Sequence, residues 1–262
     1  LTNPLTDMMG LVTLAGTVML NGFASASLAL LLHFLLSQLL GLATPLYLTE
    51  LSRSDHPLLK HMLQSAPGTY QHSLQVANLA EQAATAISAD ALLTRVGAYY
   101  HDAGKSANPA FFIENQPPGS LDSHDDMDPV IAAQTIISHV NDGIKLAEKY
   151  HLPPRLQDFI REHHGTQVTR YQYSRALEQQ KDDPSKVDAE LFRYPGPQPR
   201  SKETGILMLA DISEARARSS PPKNDEELRN LLKSVFDFIH KEGSLAYTNL
   251  TLKDLSMIQE SF

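Results

Sequence analysis

His101-Asp102 sets an imidazole beside a carboxylate in the stretch Tyr99-Tyr100-His101-Asp102-Ala103-Gly104-Lys105, where an apolar helical run stops. Neighbouring side chains on a helix point about 100° apart, so one ion can take both only where the helix ends and the backbone turns. Gly104 is expected to supply that ending. The pair suits a borderline-hard divalent cation, and the second carboxylate oxygen can bridge to another ion. A helix C-terminus with a solvated aspartate and a dipole-stabilised histidine has the same two letters, so further ligands must be found elsewhere. His72, His139, the adjacent His163-His164 and Asp211 supply them, in helices whose inner faces are otherwise apolar. His72 or His139 alone reads as a satisfied core or groove histidine, and His163-His164 before a glycine as cations at a helix end. Asp211 resists that treatment: a carboxylate following Leu207-Met208-Leu209-Ala210 has to be paired or metal-bound. Five histidines and two aspartates together form a dinuclear ligand inventory. The chain has no cysteine, which excludes disulfides, a thiolate nucleophile and sulfur-ligated metals.

The 262 residues carry a formal net charge of -8, which argues against a general binder of duplex DNA or RNA. An anionic substrate stays open, because bound divalent ions would be the largest local charges.

The elements that must position these residues read as helices. Between Met8 and Thr49 there is no Asp, Glu, Lys or Arg, enough for one long membrane helix or one and a half shorter ones, with a bend at Asn21-Gly22. A buried helical hairpin is the soluble alternative, and a signal peptide fits poorly because the run is long and lacks a basic start. His33 within it reads as a packing or interfacial residue. Residues 1–50 are therefore expected to anchor the chain and 51–262 to form the soluble domain, with Leu51 to Leu63 as a juxtamembrane linker. Arg53 and Lys60 favour the cytoplasmic side for that domain. Thr69 is expected to cap a helix presenting Leu74, Ala77, Ala80, Ala84 and Ile87. Asp90 opens the helix that leads to His101. A Pro- and Asp-rich loop is expected from Asn108 to Met127. Asp128-Pro129 starts the next helix, and Asn141-Asp142-Gly143 is expected to end it. Pro153-Pro154 begins the helix reaching His163-His164, which Gly165 stops. Gln179 to Arg200 should be exposed. Ser201, Asn224 and Thr251 cap three further helices. No alternating strand pattern of useful length appears, so the fold class is all-α, a helical bundle preceded by one or two membrane helices.

The order His, His-Asp, His, His-His, Asp resembles the HD-domain metal phosphohydrolases. The stretches HPLLKHMLQSAPGTYQHSL, RVGAYYHDAGK, FFIENQ, SHVNDGIKLAEKYHLP, REHHGT and FRYPGPQPRSKETGILMLADISEA are similar to the bacterial seven-transmembrane-HD phosphodiesterases of the PgpH type. The likeness runs from about Leu51 to Ala217. Most of that family's membrane helices and its extracytoplasmic domain have no counterpart at the front. The resemblance implies hydrolysis of cyclic di-AMP to linear pApA with two divalent ions, iron or manganese. It places one ion on His72, His101, Asp102 and Asp211, and the other on Asp102, His139, His163 and His164. Lys105 is then a candidate phosphate contact, with a solvated surface lysine as the plainer reading. Tyr171, Tyr173, Phe111 and Phe112 are candidates for stacking on adenine or for packing. A one-metal nucleotide phosphohydrolase and a membrane sensor that binds a nucleotide without cleaving it are the competing functions; His139 with His163-His164 argues against the first and the full ligand set against the second. The expected partners are the cyclic dinucleotide, the cell membrane and a second copy in a homo-oligomer.

Overall fold

The computed structural model describes residues 8–39, 41–117, 127–181 and 183–262. Among them the chain is all-α, apart from one isolated bridge between Val168 and Arg193. Contacts divide it into two units, residues 1–44 and 45–262.

In the first unit, helix α1 (Met8–Leu39) runs without interruption through Asn21-Gly22, where a bend was expected. Apolar side chains cover it all round, and Leu11, Val18, Phe23, Leu30 and Phe34 are all exposed. Its polar side chains bond back to the preceding turn: Thr13 Oγ1 donates to Met9 O, Thr17 Oγ1 to Thr13 O and Asn21 Nδ2 to Thr17 O.

The second unit begins at Pro45 rather than at Leu51. In α2 (Pro45–Leu51) Leu48 and Leu51 are buried, and the Tyr47 hydroxyl donates to His151 O, so these residues belong to the helical body. The expected linker also proves to be structure, since α3 (Pro57–Ser65) buries Leu58, Leu59 and Met62.

Helix α4 (Pro67–Ala86) packs on α5 (Ala91–Tyr100) and on α9 (Lys202–Ser219). Small residues allow this on α4, where Ala77, Ala80, Ala83 and Ala84 are fully buried, and the larger Ile206 to Leu209 of α9 are fully buried as well. Proline starts α3, α4, α6 (Pro129–Lys149) and α7 (Pro154–Glu162), where its missing N–H would have had no helical partner. Asp90 caps α5, Asp128 caps α6, and Ser201 forms a capping box with Thr204 on α9. Asn224 caps α10 (Asp225–Lys241), although Glu227 reaches back to the Lys223 N–H instead of the cap's own. Thr251 and Asp254 make the box of α11 (Leu252–Ser261).

Four expectations are corrected by tertiary packing. Thr69 lies inside the first turn of α4, and Ala66 holds the cap position because Pro67 already starts the helix. Gly143 does not end α6. It lies mid-helix, where a Cβ would meet Ile160 Cγ2 at 2.9 Å and Gly104 N at 3.2 Å. Gly104 likewise is no left-handed cap: it sits in a 3-10 turn, Ala103–Ala107, and a Cβ there would lie 1.8 Å from His139 O. The stretch from Gln179 to Arg200 is not uniformly exposed, since Phe192 and Tyr194 are buried. In the expected loop after Asn108, two 3-10 turns occupy Pro109–Phe111 and Ile113–Asn115, and residues 118–126 lie outside the described residues.

Candidate metal centre

Each ligand candidate arrives by its own route. His72 comes from the second turn of α4; His101 and Asp102 follow α5, and the close approach of Gly104 to His139 O seats their turn against α6, which carries His139. His163 and His164 follow α7, where Gly165 at φ +53° turns the chain. Asp211 comes from the middle of α9. All are buried except His164, which is partly exposed.

The seven converge on Asp102. Its Oδ2 lies 3.3 Å from His101 Nε2 and 3.6 Å from His72 Nε2. Its Oδ1 lies 3.3 Å from His139 Nε2 and 3.5 Å from His163 Nε2. Asp211 Oδ1 stands 3.0 Å from His72 Nε2 and 3.8 Å from His101 Nε2. Asp102, His139, His163 and His164 offer ligand atoms within 4.8 Å of one another; so do His72, His101 and Asp102, and His101, His163 and Asp211.

The tautomers follow from the outer partners. His101 Nδ1 faces Ala98 O at 2.8 Å, His139 Nδ1 faces Ile136 O at 2.6 Å, and His163 Nδ1 faces Ile160 O at 2.9 Å. A carbonyl only accepts, so each Nδ1 carries a proton, and each ring turns Nε2 inward as the nitrogen that can take a metal once any proton on it has left. His72 Nδ1 donates to Glu214 Oε2 at 2.6 Å with the same result. Among the described residues, His101 Nε2 and Asp102 Oδ1 are buried without a hydrogen-bond partner. Buried polar atoms without partners are costly, and these two point where a cation would sit. The residues fit a divalent metal.

The HD domain family matches residues 69–216, which spans all seven candidate ligands. The chain belongs to the HD-domain family. It is 39% identical over 254 residues to the cyclic-di-AMP phosphodiesterase PgpH of Bacillus subtilis and 36% identical over 246 residues to that of Listeria monocytogenes. Those matches take in 97% and 94% of this chain but 35% and 34% of the relatives, so the chain spans about a third of their length. The crystal structure of the L. monocytogenes PgpH HD domain superposes with a TM-score of 0.74 at 36% identity, covering 79% of this chain and 95% of that one. The same HD domain in complex with cyclic-di-AMP gives 0.75 at 36% identity, covering 80% and 96%.

Electrostatics divide the HD centre. Burial disfavours a charged His101, but the carboxylates of Asp102 and Asp211 outweigh it and push its pKa up to about 10. His72 is raised too, against burial, by Asp211 and Glu214. Asp102 and Asp211 stay well below the usual carboxylate range despite burial, Asp102 chiefly through Lys105 and His101, Asp211 through His101 and His72. Burial lowers His163, and burial with the neighbouring imidazoles lowers His164 further.

Lys105 is neither solvated nor remote. Its Nζ lies 2.8 Å from Asp102 Oδ2 and 2.8 Å from Glu114 Oε1, above the Phe112 ring. A cleft of about 430 Å³ adjoins it, lined by His72, Lys105, His164, Tyr194 and Asp211 inside and by Tyr171, Arg170, Arg216 and Arg218 further out. Tyr171, on α8 (Arg170–Gln179), is therefore brought to the cleft. Tyr173 is not: it packs on Phe192 with Ala133 and Ala176. Phe111 and Phe112 are buried against Ala132, and Phe112 meets the His139 ring edge-on at 5.8 Å.

Sequence reading missed Tyr194, whose ring lies 4.2 Å from that of His164. It also missed Glu214, Glu114 and Glu162. Glu162, just before the histidine pair, accepts from the Arg200 backbone and guanidinium and from the Thr204 hydroxyl, fixing the end of α7 to the start of α9. Its place beside His163 was a usable signal, as was the three-residue spacing of Glu214 from Asp211 on one helix face.

Proposed function

We propose that the chain is the catalytic part of a membrane-anchored, two-metal phosphodiesterase that hydrolyses cyclic di-AMP to linear pApA, with iron or manganese as the metal. The observation that carries this reading is Asp102: a buried carboxylate whose two oxygens face two different groups of imidazoles. A one-metal site has no use for the second group. His72, His101, Asp102 and Asp211 hold one ion in this reading, and Asp102, His139, His163 and His164 the other. When bound, two such ions supply Lewis acidity toward the phosphodiester and acidify an attacking water. The chain's own residues do the rest. Asp102 fixes both positions at once, and the Nδ1 bonds of His72, His101, His139 and His163 keep those four imidazoles turned with Nε2 toward the ions. Lys105 keeps a cation in the inner wall of the cleft for the substrate's phosphate, held between Asp102 and Glu114. Tyr171 offers a face on which adenine can stack. The cyclic-di-AMP complex of the similar Listeria domain supports the choice of nucleotide. Attack by water on one phosphodiester opens the ring, breaks a single P–O bond and leaves a terminal phosphate on the linear product.

The test is metal content of the purified chain together with product analysis on cyclic di-AMP and cyclic di-GMP. Two transition-metal ions per chain and release of pApA are expected. One ion per chain with intact turnover overturns the two-metal reading, and no cleavage by the fully loaded protein overturns the enzyme.

A further inference from the structure

Three of the imidazoles around Asp102 find their outer partner three residues back in their own chain, in the backbone carbonyls of Ala98, Ile136 and Ile160. Those acceptors are neutral and come with the helix. His72 is different. Its Nδ1 lies 2.6 Å from Oε2 of Glu214, 142 residues away, and its Nε2 lies 3.0 Å from Oδ1 of Asp211. Asp211 and Glu214 are three residues apart on α9 and share a face, so one helix grips both edges of one ring. Glu214 is 8% exposed, and its other oxygen lies 3.3 Å from Arg218 Nε, which keeps the carboxylate oriented. A short bond between a buried carboxylate and an imidazole N–H is of the strong, charge-assisted kind.

We propose that Glu214 is a positioning residue for the ion held by His72, and that it makes the His72, His101, Asp102, Asp211 site the tighter of the two. An anion on Nδ1–H fixes the ring and makes Nε2 a stronger donor to a metal. That site then has two carboxylate ligands and an anionic outer partner. The other has one shared carboxylate, and its His139 and His163 are backed by neutral carbonyls. The ranking of the sites rests on the two-metal reading, whereas the role of Glu214 toward His72 does not.

The experiment is calorimetric titration of manganese(II) into the metal-free full chain in detergent, for the natural sequence, Glu214→Gln, Glu214→Ala and His139→Ala. Thermal unfolding of each metal-free protein is followed in parallel. Gln keeps an acceptor without the charge; Ala removes both. The natural chain should bind two ions unequally, and His139→Ala should lose the weaker. Glu214→Gln should weaken the tighter ion by about ten- to a hundredfold, the range seen when such outer partners are removed, with Glu214→Ala worse and the weaker ion unmoved. Unchanged affinity in both Glu214 variants overturns the proposal. Equal weakening of both ions with a lower unfolding temperature overturns it too, since that marks a merely structural role. A single ion in the natural chain defeats the two-metal reading, and the response of that ion to Glu214→Gln still decides the role of Glu214.

Discussion

Asp102 is the residue on which the centre turns, because each of its oxygens answers to a different set of imidazoles. If both oxygens ligate, Asp102→Ala takes a ligand from each ion and leaves two cations facing one another with less negative charge between them, so both should be lost together. His164→Ala should weaken chiefly one ion, since the other keeps its full protein set. Asp102→Asn keeps the size but not the charge, and should retain the fold while losing most turnover. Metal content, unfolding temperature with and without manganese, and pApA production decide among these; near-normal hydrolysis by Asp102→Asn would remove the bridge from this residue. The same carboxylate sets a pH dependence. With His101 raised to about 10, the His101–Asp102 attraction in the metal-free chain is fully present below the ordinary histidine pKa, roughly 6.5, and is lost as pH rises through the folded value. A metal must displace that proton, so between those limits its apparent affinity should rise with pH. Manganese titrations in buffers of different ionisation enthalpy should show proton release at neutral pH. No release would mean that His101 is neutral before the metal arrives.

At the scale of elements, the centre depends on backbones that touch. Gly104 stands so near α6 that a methyl group would lie 1.8 Å from His139 O and 2.4 Å from Gly143 N, both backbone atoms that no side-chain rotation can move aside. Gly104→Ala should therefore push the His101-Asp102 turn off α6. A cost of about 1 to 3 kcal/mol or more is expected, read as a lower unfolding temperature, together with loss of bound metal. Gly22→Ala, with nothing within 4 Å, is the matched control and should leave unfolding of the helical body unchanged. An unaltered unfolding temperature and metal content in Gly104→Ala would show that the turn can retreat without cost. This contact also marks where sequence stops informing. The starts of α5, α6, α9 and α11 are legible because a cap and its first turn are chemistry within four residues. Asp211 is legible because a carboxylate set among leucines must find a cation or a hydrogen-bond donor to be buried at all. Gly104 and Gly143 read as helix ends in the sequence, because a glycine chosen for close approach looks the same as one chosen for a left-handed cap until both helices are in place. Tyr194 gives no such signal, and the spacing of Glu214 from Asp211 does not by itself name His72, 142 residues away, as its partner. Tyr194 owes its place over His164 to the short pairing of Thr169 N with Phe192 O and of Tyr194 N with Gln167 O.

For the whole molecule, α1 poses a solvation problem that water does not solve. Its 32 residues extend about 48 Å at 1.5 Å each, longer than a hydrocarbon core of about 30 Å. A helix apolar on every side whose most apolar stretch is unburied among the described residues needs lipid or other protein around it. The back-bonds from Thr13, Thr17 and Asn21 satisfy its polar groups internally, as a hydrocarbon surrounding demands. The basic residues nearest its C-terminal side, Arg53 and Lys60, favour the cytoplasm for the helical body, where a nucleotide second messenger would be met. The full chain expressed in bacteria should accordingly stay in the membrane pellet after alkaline carbonate extraction and require detergent for release. Because the chain contains no cysteine, Lys253→Cys at an exposed position of α11 gives a single label site. A membrane-impermeant maleimide should reach it only after the cells are permeabilised. Labelling in intact cells would put the metal centre outside, and a monodisperse full chain without detergent would mean that α1 is covered by protein rather than by lipid.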